Sequence, residues 1–222
     1  MEITGHRGAR GLERENTISS FKKAQELGVD VIEMDLRATK DKYIVVHHDE
    51  DLLRTHHDPR KISEIIWEEL QILSQKVNYP TPLLKEVLDK IHMPLNLEVK
   101  ETGFEQRLLE EIKGFPSKVL ISSFKLGVLR KIRALDRNIK IALIISPKRN
   151  YLYIFLFPFF RSLRFYSINL RHDLITSKRI KFIHNLEMKI MTWVINDINQ
   201  FEIMKEMGVD GIGTDYPNII HN

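Results

Sequence analysis

The 222-residue chain contains no cysteine. That absence removes disulfides, a thiolate nucleophile and zinc–thiolate sites from consideration. Long apolar runs are missing as well. The longest, YLYIFLFPFF at 151–160, is about half of what a helix needs to cross a bilayer. The first residues, MEITGHRGARG, lack a basic stretch followed by an apolar one, so no secretory leader is read there. A strong charge of one sign is also lacking. Thirty-four Lys and Arg against thirty Asp and Glu leave a formal net charge of +4, with a pI near 9.1. The basic residues form no stripe interleaved with aromatics, so nucleic acid is not an expected partner. The mild excess suits a small anionic substrate. These absences together point to a cytoplasmic protein.

What is present suits a folded domain. Hydrophobic residues make up 43% of the chain, enough for a sizeable core. No low-complexity linker divides it, so 1–222 is expected to be a single domain. Short β-like runs alternate with helix-like ones. The strands read at 3–5, VDVIEMDL (29–36), YIVVHH (43–48), PLNLEVK (94–100), KVLIS (118–122), IKIALII (139–145), YSINL (166–170), KIMTWVI (189–195) and VDGIG (209–213). Between them, segments such as TISSFKKAQELG place Ile18, Phe21, Ala24 and Leu27 at helical spacing, with Asn16 or Thr17 to cap and Gly28 to end the helix. This rhythm argues a parallel sheet with crossover helices.

Nine candidate strands exceed a barrel of eight, and connection length identifies the extra one. Only residues 37–42 separate Leu36 from Tyr43, too few for a parallel crossover. The two segments therefore form an antiparallel hairpin, and the remaining eight strands match a (β/α)₈ TIM barrel with an extra hairpin arm after strand two. A turn centred on TKDK (39–42) opposes Glu33 to His48 and Met34 to His47. In that register Glu33, Asp35 and His48 share a face while His47 points away. The stretch 49–82 is longer than an ordinary loop. It contains ISEIIWEELQIL, read as a helix, and is expected to cover the open end of the barrel.

In such a barrel, polar residues at the C-terminal strand ends converge on one face. Here they are His6 and Arg7, Glu33 and Asp35, His48 and Asp49, then Asn96, Glu98 and Lys100, then Trp193 and Asn196, and finally Asp215. The ordered set HRG (6–8), ENT (15–17), IEMD (32–35), TKD (39–41), HD (48–49), RT (54–55), LEVK (97–100), SSF (122–124), TWVIN (192–196) and GVDGIGTDYP (208–217) resembles the glycerophosphodiester phosphodiesterase family of the bacterial cytosolic type. It departs from the pattern at Lys42, where a glycine is usual, at Leu83, where a threonine is usual, and at Gly213, where a bulkier apolar residue is frequent.

The resemblance implies metal-dependent hydrolysis of glycerophosphodiesters to glycerol 3-phosphate and an alcohol. It implies that Glu33, Asp35 and Glu98 hold one divalent cation. Hard oxygen donors suit Mg²⁺ or Ca²⁺, with Mn²⁺ a further candidate, better than zinc. The competing reading is a salt-bridged acidic rim, but three strand carboxylates repel one another unless a cation sits between them. His6 and His48 are implied as general acid and base, which imidazole suits near neutral pH. Taken singly a histidine is more often structural, and His47, His56, His57, His92, His172, His184 and His221 are read so. Arg7 and Lys100 are implied as partners of the substrate phosphate, with counter-ions for the carboxylates as the competing reading, Trp193 as a wall against the glycerol group or else a core residue, and Glu15 as a group orienting Arg7 or His6. The run 151–160 is read as the fifth barrel helix, with a lid touching acyl chains or a membrane surface as its alternative. The lid would make lysophospholipids substrates, in the manner of a lysophospholipase D. A non-catalytic barrel that binds phosphate esters is the remaining alternative. Oligomeric state is not legible.

Overall fold

The computed structural model describes residues 1–148 and 162–220. The apolar run 151–160 and His221 lie outside the described residues.

Eight parallel strands close into a barrel. They are β1 (Glu2–Gly5), β2 (Val31–Ala38), β6 (Leu95–Val99), β7 (Val119–Ser123), β8 (Lys140–Ile145), β9 (Ser167–Arg171), β10 (Lys189–Trp193) and β11 (Gly211–Thr214). Closure comes from two pairings of β1. It runs beside β11 from Glu2↔Gly211 to Gly5↔Thr214, and beside the start of β2 at Thr4↔Val31 and Gly5↔Ile32. The remaining strand, β3 (Ile44–Val46), lies outside the barrel and pairs antiparallel with the far end of β2 at Arg37↔Val45. It takes up the edge of β2 that the short β1 leaves open, so those backbone groups stay paired. The extra arm inferred from connection length is therefore present.

Its register differs by one residue from the expectation. The pairs are Leu36↔Val46, Arg37↔Val45 and Ala38↔Ile44, and the His47 amide donates to the Asp35 carbonyl at 2.9 Å. This ladder would place His47, not His48, on the face of Asp35. The ladder stops at Val46, however, and the chain bends over 48–50, which breaks the two-residue alternation. His48 consequently lines the barrel cavity, while His47 is buried with its ring 5.8 Å from that of His56. The expected face for His48 holds, but the bend sets it rather than the register.

The crossover helices pack outside the strands. They include α1 (Ile18–Glu26), α5 (Glu105–Glu111), α6 (Leu126–Leu135), α7 (Ser177–His184) and α8 (Ile198–Met207), with α4 (Leu84–Lys90) after the arm. Thr17 caps α1 by accepting from the Ser20 amide at 3.2 Å, and Gly28 at φ +73° follows its end. Phe21 and Ala24 of α1 are fully buried against the sheet, with Ile32, Leu36, Leu97 and Ile121 in the same core. Each such apolar side chain contributes about 1.5–3 kcal/mol by leaving water.

The stretch 49–82 forms a small unit with its own core of Val45, Leu52, Ile62, Ile65 and Leu70. It contains a two-stranded ribbon, β4 (Asp51–Leu52) with β5 (Asp58–Lys61), and the short helix α2 (Leu53–His56). The helix expected over ISEIIWEELQIL is split. A single 3₁₀ turn at Ile62–Glu64 is followed by extended backbone at Ile65 and Ile66, and α3 begins at Trp67 (Trp67–Lys76). The break has a tertiary cause. The carboxylate of Asp41, in the hairpin turn, accepts from the Trp67 amide at 3.1 Å and so caps α3 from outside its own segment. Among the described residues no helix is long and apolar enough to cross a membrane.

Candidate active site

The HRG motif ends β1 in an unusual backbone. Arg7 has φ +51° and Gly8 φ +85°. A Cβ on Gly8 would lie 2.4 Å from Ser20 Oγ and 2.6 Å from the Ser20 carbonyl carbon, so α1 approaches too closely for any side chain there. This tight turn aims the Arg7 amide at Glu33, whose Oε2 accepts at 2.8 Å. A left-handed arginine costs about 1–3 kcal/mol, and such cost is held where surrounding contacts over-determine the geometry.

Glu33 and Asp35 project from the same face of β2, and Glu98 comes from the neighbouring β6, where Asp35 pairs with Glu98. One carboxylate oxygen of each lies within 4.8 Å of the others, and all three residues are buried. Burial, then the charges of Asp35 and Glu98, push the Glu33 carboxyl well above the usual glutamate range. Asp35 is held below its ordinary value. Burial opposes this, but Lys100, Arg7 and His48 outweigh it. Lys100 Nζ lies 2.8 Å from Asp35 Oδ1 and also bonds Glu98, while Arg7 Nε lies 3.1 Å from Asp35 Oδ2. Burial would lower the Lys100 ammonium, yet the two carboxylates keep it above the ordinary lysine value. Asn16 completes the support. Its Nδ2 donates to Asp35 Oδ2 at 2.7 Å and its Oδ1 accepts from the Asp35 amide at 3.2 Å. Asparagine tolerates the φ of +58° found there.

A divalent cation fits this cluster. Glu33 Oε1 is buried without a hydrogen-bond partner, and the donor set is entirely carboxylate oxygen. With Glu33 ionised, three carboxylates against Arg7 and Lys100 leave one net negative charge. A divalent ion would turn that into one net positive charge, which matches the single negative charge of a phosphodiester.

The two histidines stand at the wall of a cavity of about 690 Å³ that runs along the barrel interior, from Glu2, Lys118, Lys140 and Lys189 at the strand starts to Glu33 and Glu98 at the other end. Each is backed by an aspartate. His6 Nδ1 lies 2.6 Å from Asp215 Oδ1, and His48 Nδ1 lies 2.7 Å from Asp49 Oδ1. A carboxylate only accepts, so Nδ1 carries the proton in both rings and Nε2 is the free nitrogen. Asp215 is itself held by Asn196, which donates from Nδ2 at 2.8 Å and accepts from the Asp215 amide at 2.9 Å. Burial alone would raise Asp215, but His6 and then Asn196 bring it below the usual carboxylate value. Burial lowers His48 to about 4, since the attraction of Asp35 does not offset Lys100 and Arg7. His48 is thus neutral at pH 7.

Trp193 lines the same cavity. Its ring meets Phe124 edge to face at 5.8 Å, and its Nε1 donates to the Asn169 carbonyl at 3.3 Å. A Cβ at Gly213 would lie 3.6 Å from Trp193 Cβ, an ordinary contact, so a small side chain would fit there. Glu15 stands off the carboxylate cluster and bonds Arg7 Nη1 at 3.0 Å. The structure thus gathers all nine site residues read from the sequence at one end of the barrel. Asn16, Asp49, Arg54, Asn196 and Asp215 stand in the motifs of the sequence, but their contacts as supports come only from the fold.

The glycerophosphoryl diester phosphodiesterase family model matches residues 6–219. A glycerophosphodiester phosphodiesterase of Caldanaerobacter subterraneus subsp. tengcongensis is 31% identical, over 99% of this chain and 96% of its own. A lysophospholipase D of Rattus norvegicus is 26% identical, over 96% of this chain and 82% of its own. Among solved structures, a phosphodiesterase of Oleispira antarctica in complex with the product sn-glycerol 3-phosphate superposes with a TM-score of 0.88 at 25% identity, covering 100% of this chain and 95% of that one.

Proposed function

The chain belongs to the glycerophosphoryl diester phosphodiesterase family, a family of phosphoric diester hydrolases, and we propose that it hydrolyses glycerophosphodiesters to glycerol 3-phosphate and an alcohol. One observation carries this reading: a buried cluster of three carboxylates lies beside two histidines, each backed by an aspartate. Glu33, Asp35 and Glu98 would hold one divalent cation, Mg²⁺ or Ca²⁺, with Mn²⁺ also acceptable to such donors. When bound, the cation supplies Lewis-acid stabilisation of charge on the phosphoryl oxygens.

The protein's own groups do the rest. Arg7 and Lys100 attract and orient the phosphate through charge-assisted hydrogen bonds. Neutral His48 can accept a proton through Nε2. His6, oriented through Nδ1 by Asp215, presents Nε2 for the complementary proton transfer. In hydrolysis a water oxygen bonds to phosphorus and the phosphorus–oxygen bond to the alcohol breaks. The water proton passes to one histidine, and the alcohol takes a proton from the other. Trp193 and Phe124 form an apolar wall beside the reacting group. The neighbouring glycerol hydroxyl can replace water as attacker, in which case a cyclic phosphate precedes glycerol 3-phosphate.

A second reading extends the substrate class to lysophospholipids. It is favoured by the 26% identity to a lysophospholipase D. Following ³¹P NMR with glycerophosphocholine and with lysophosphatidylcholine, with and without EDTA, separates these outcomes. Glycerol 3-phosphate formed from glycerophosphocholine, and lost with EDTA, is the expected result. Turnover of the lipid alone favours the second reading. Turnover of neither, with Mg²⁺, Ca²⁺ and Mn²⁺ each supplied, leaves a barrel that binds phosphate esters without cleaving them.

A further inference from the structure

Glu15 does not line the cavity, yet three arginines converge on it. Its Oε1 accepts from Arg7 Nη1 at 3.0 Å and from Arg54 Nη2 at 2.5 Å, and its Oε2 lies 3.3 Å from Arg10 Nε. Burial alone would raise this carboxyl, but Arg7, Arg54 and Arg10 hold it below the usual glutamate value, so it stays charged. Each arginine then reaches a second carboxylate. Arg7 Nε lies 3.1 Å from Asp35, Arg54 Nε bonds Asp49 Oδ2 at 2.6 Å, and Arg10 Nε lies 3.8 Å from Asp215 Oδ1. The last two carboxylates are those behind His48 and His6.

We propose that Arg54 and Arg10 are positioning residues for His48 and His6, each clamping the aspartate behind one histidine, with Glu15 as their common anchor. The proposal rests on the reading of these histidines as an acid–base pair. The physical need is greatest on the Arg54 side. Asp49 sits in the bend at 48–50, outside any strand, so no ladder fixes its side chain. Arg54 comes from α2 of the 49–82 unit, and one guanidinium fork spans Asp49 and Glu15 together. A lysine ammonium is a point charge on a flexible stem and cannot reproduce that fork. The Arg10 arm is longer at both ends, and Asp215 already has Asn196, so the Arg10 contribution is the smaller of the two.

The test is selective epistasis in the metal-loaded protein. Arg54→Gln should lower kcat for glycerophosphocholine by about 10²-fold with KM little changed, as a small misplacement of a reacting group does. Arg54→Lys should not restore it. In a His48→Ala background Arg54→Gln should cost nothing more, whereas in a His6→Ala background it should keep its full cost. Equal cost in both backgrounds, or recovery by Arg54→Lys, overturns the proposal in favour of a general structural role. The thermal midpoint of Arg54→Gln, measured alongside, should stay close to the wild type. ¹⁵N-histidine NMR reads the same claim without turnover. Arg54→Gln should move the ring signals of His48 and leave those of His6 in place, and movement of both or neither overturns it. Absence of wild-type turnover would sink the proposed reaction, while the NMR result would still decide the clamp.

Discussion

Glu33, Asp35 and Glu98 stand on neighbouring parallel strands, whereas His48, Asp49 and Arg54 belong to chain outside the barrel strands. The carboxylates are placed by sheet register. Two-residue alternation along β2 and direct pairing of Asp35 with Glu98 bring their oxygens together. The second histidine sits in a bend, with Asp49 behind its ring and Arg54 on that aspartate. The same catalytic face is therefore built in two ways, one by regular hydrogen-bond ladders and one by a handful of specific polar contacts.

Removing the regular half should have the largest effect. Asp35→Asn takes away the proposed central ligand and the partner of both Arg7 and Lys100. Turnover should fall by about 10³-fold or more, since metal and charge stabilisation supply several kcal/mol of the barrier reduction. Steady-state rates under saturating Mg²⁺ check this, and a rate within tenfold of wild type would remove the cluster from the reaction.

The adjacent histidines of the bend offer the sharpest contrast. His48→Ala should lower kcat by about 10²–10⁴-fold, the usual worth of general acid–base catalysis. His47→Leu should leave kcat within a few-fold. If the two variants behaved in the reverse way, the ladder rather than the bend would be setting the active ring.

His47 should show itself in stability instead. Burial lowers it to about 4 from an ordinary 6.5, with the neighbouring His56 adding to the shift. Its folded pKa is depressed, so the unfolded chain binds the proton more readily between those values. Stability is full above pH 6.5 and is lost as pH falls toward 4, by at most about 3 kcal/mol at 1.36 kcal/mol per pH unit. Urea unfolding of wild type and His47→Leu across that window should show a shallower slope in the variant, the remainder coming from His48, which is lowered in the same way.

The smallest expected effect lies at the hairpin turn. Lys42 occupies the position where the resembling family has glycine, and its backbone keeps φ +71°. Lys42→Gly should stabilise the fold by up to about 1 kcal/mol, because the left-handed conformation penalises a side chain, and leave kcat unchanged. A loss of stability would mean that the exposed lysine makes a compensating contact.

Which parts were legible in the sequence follows the same division. The strands appear within a residue or two of their expected bounds, because alternation and apolar runs are local signals. The three carboxylates follow from i, i+2 spacing and from the end of the next strand. The hairpin arm follows from the short connection at 37–42. The register does not, since TKDK accommodates more than one turn and only tertiary contacts choose. The split before α3 was not legible either, because its cap comes from Asp41, 26 residues away. Asn196 behind Asp215, and Arg54 between Asp49 and Glu15, are long-range pairs with no periodic signature.

The account turns on one divalent cation held by Glu33, Asp35 and Glu98. The most direct measurement is a Mn²⁺ titration of the metal-stripped protein, followed by EPR, with the initial rate on glycerophosphocholine taken at each point and repeated at several pH values. The expected result is one tight ion per chain and a rate that rises in proportion to occupancy. Affinity should weaken as pH falls, because the raised pKa of Glu33 makes a proton compete with the ion. Full turnover by the metal-free protein, or an equally tight ion in Glu33→Gln, would contradict it.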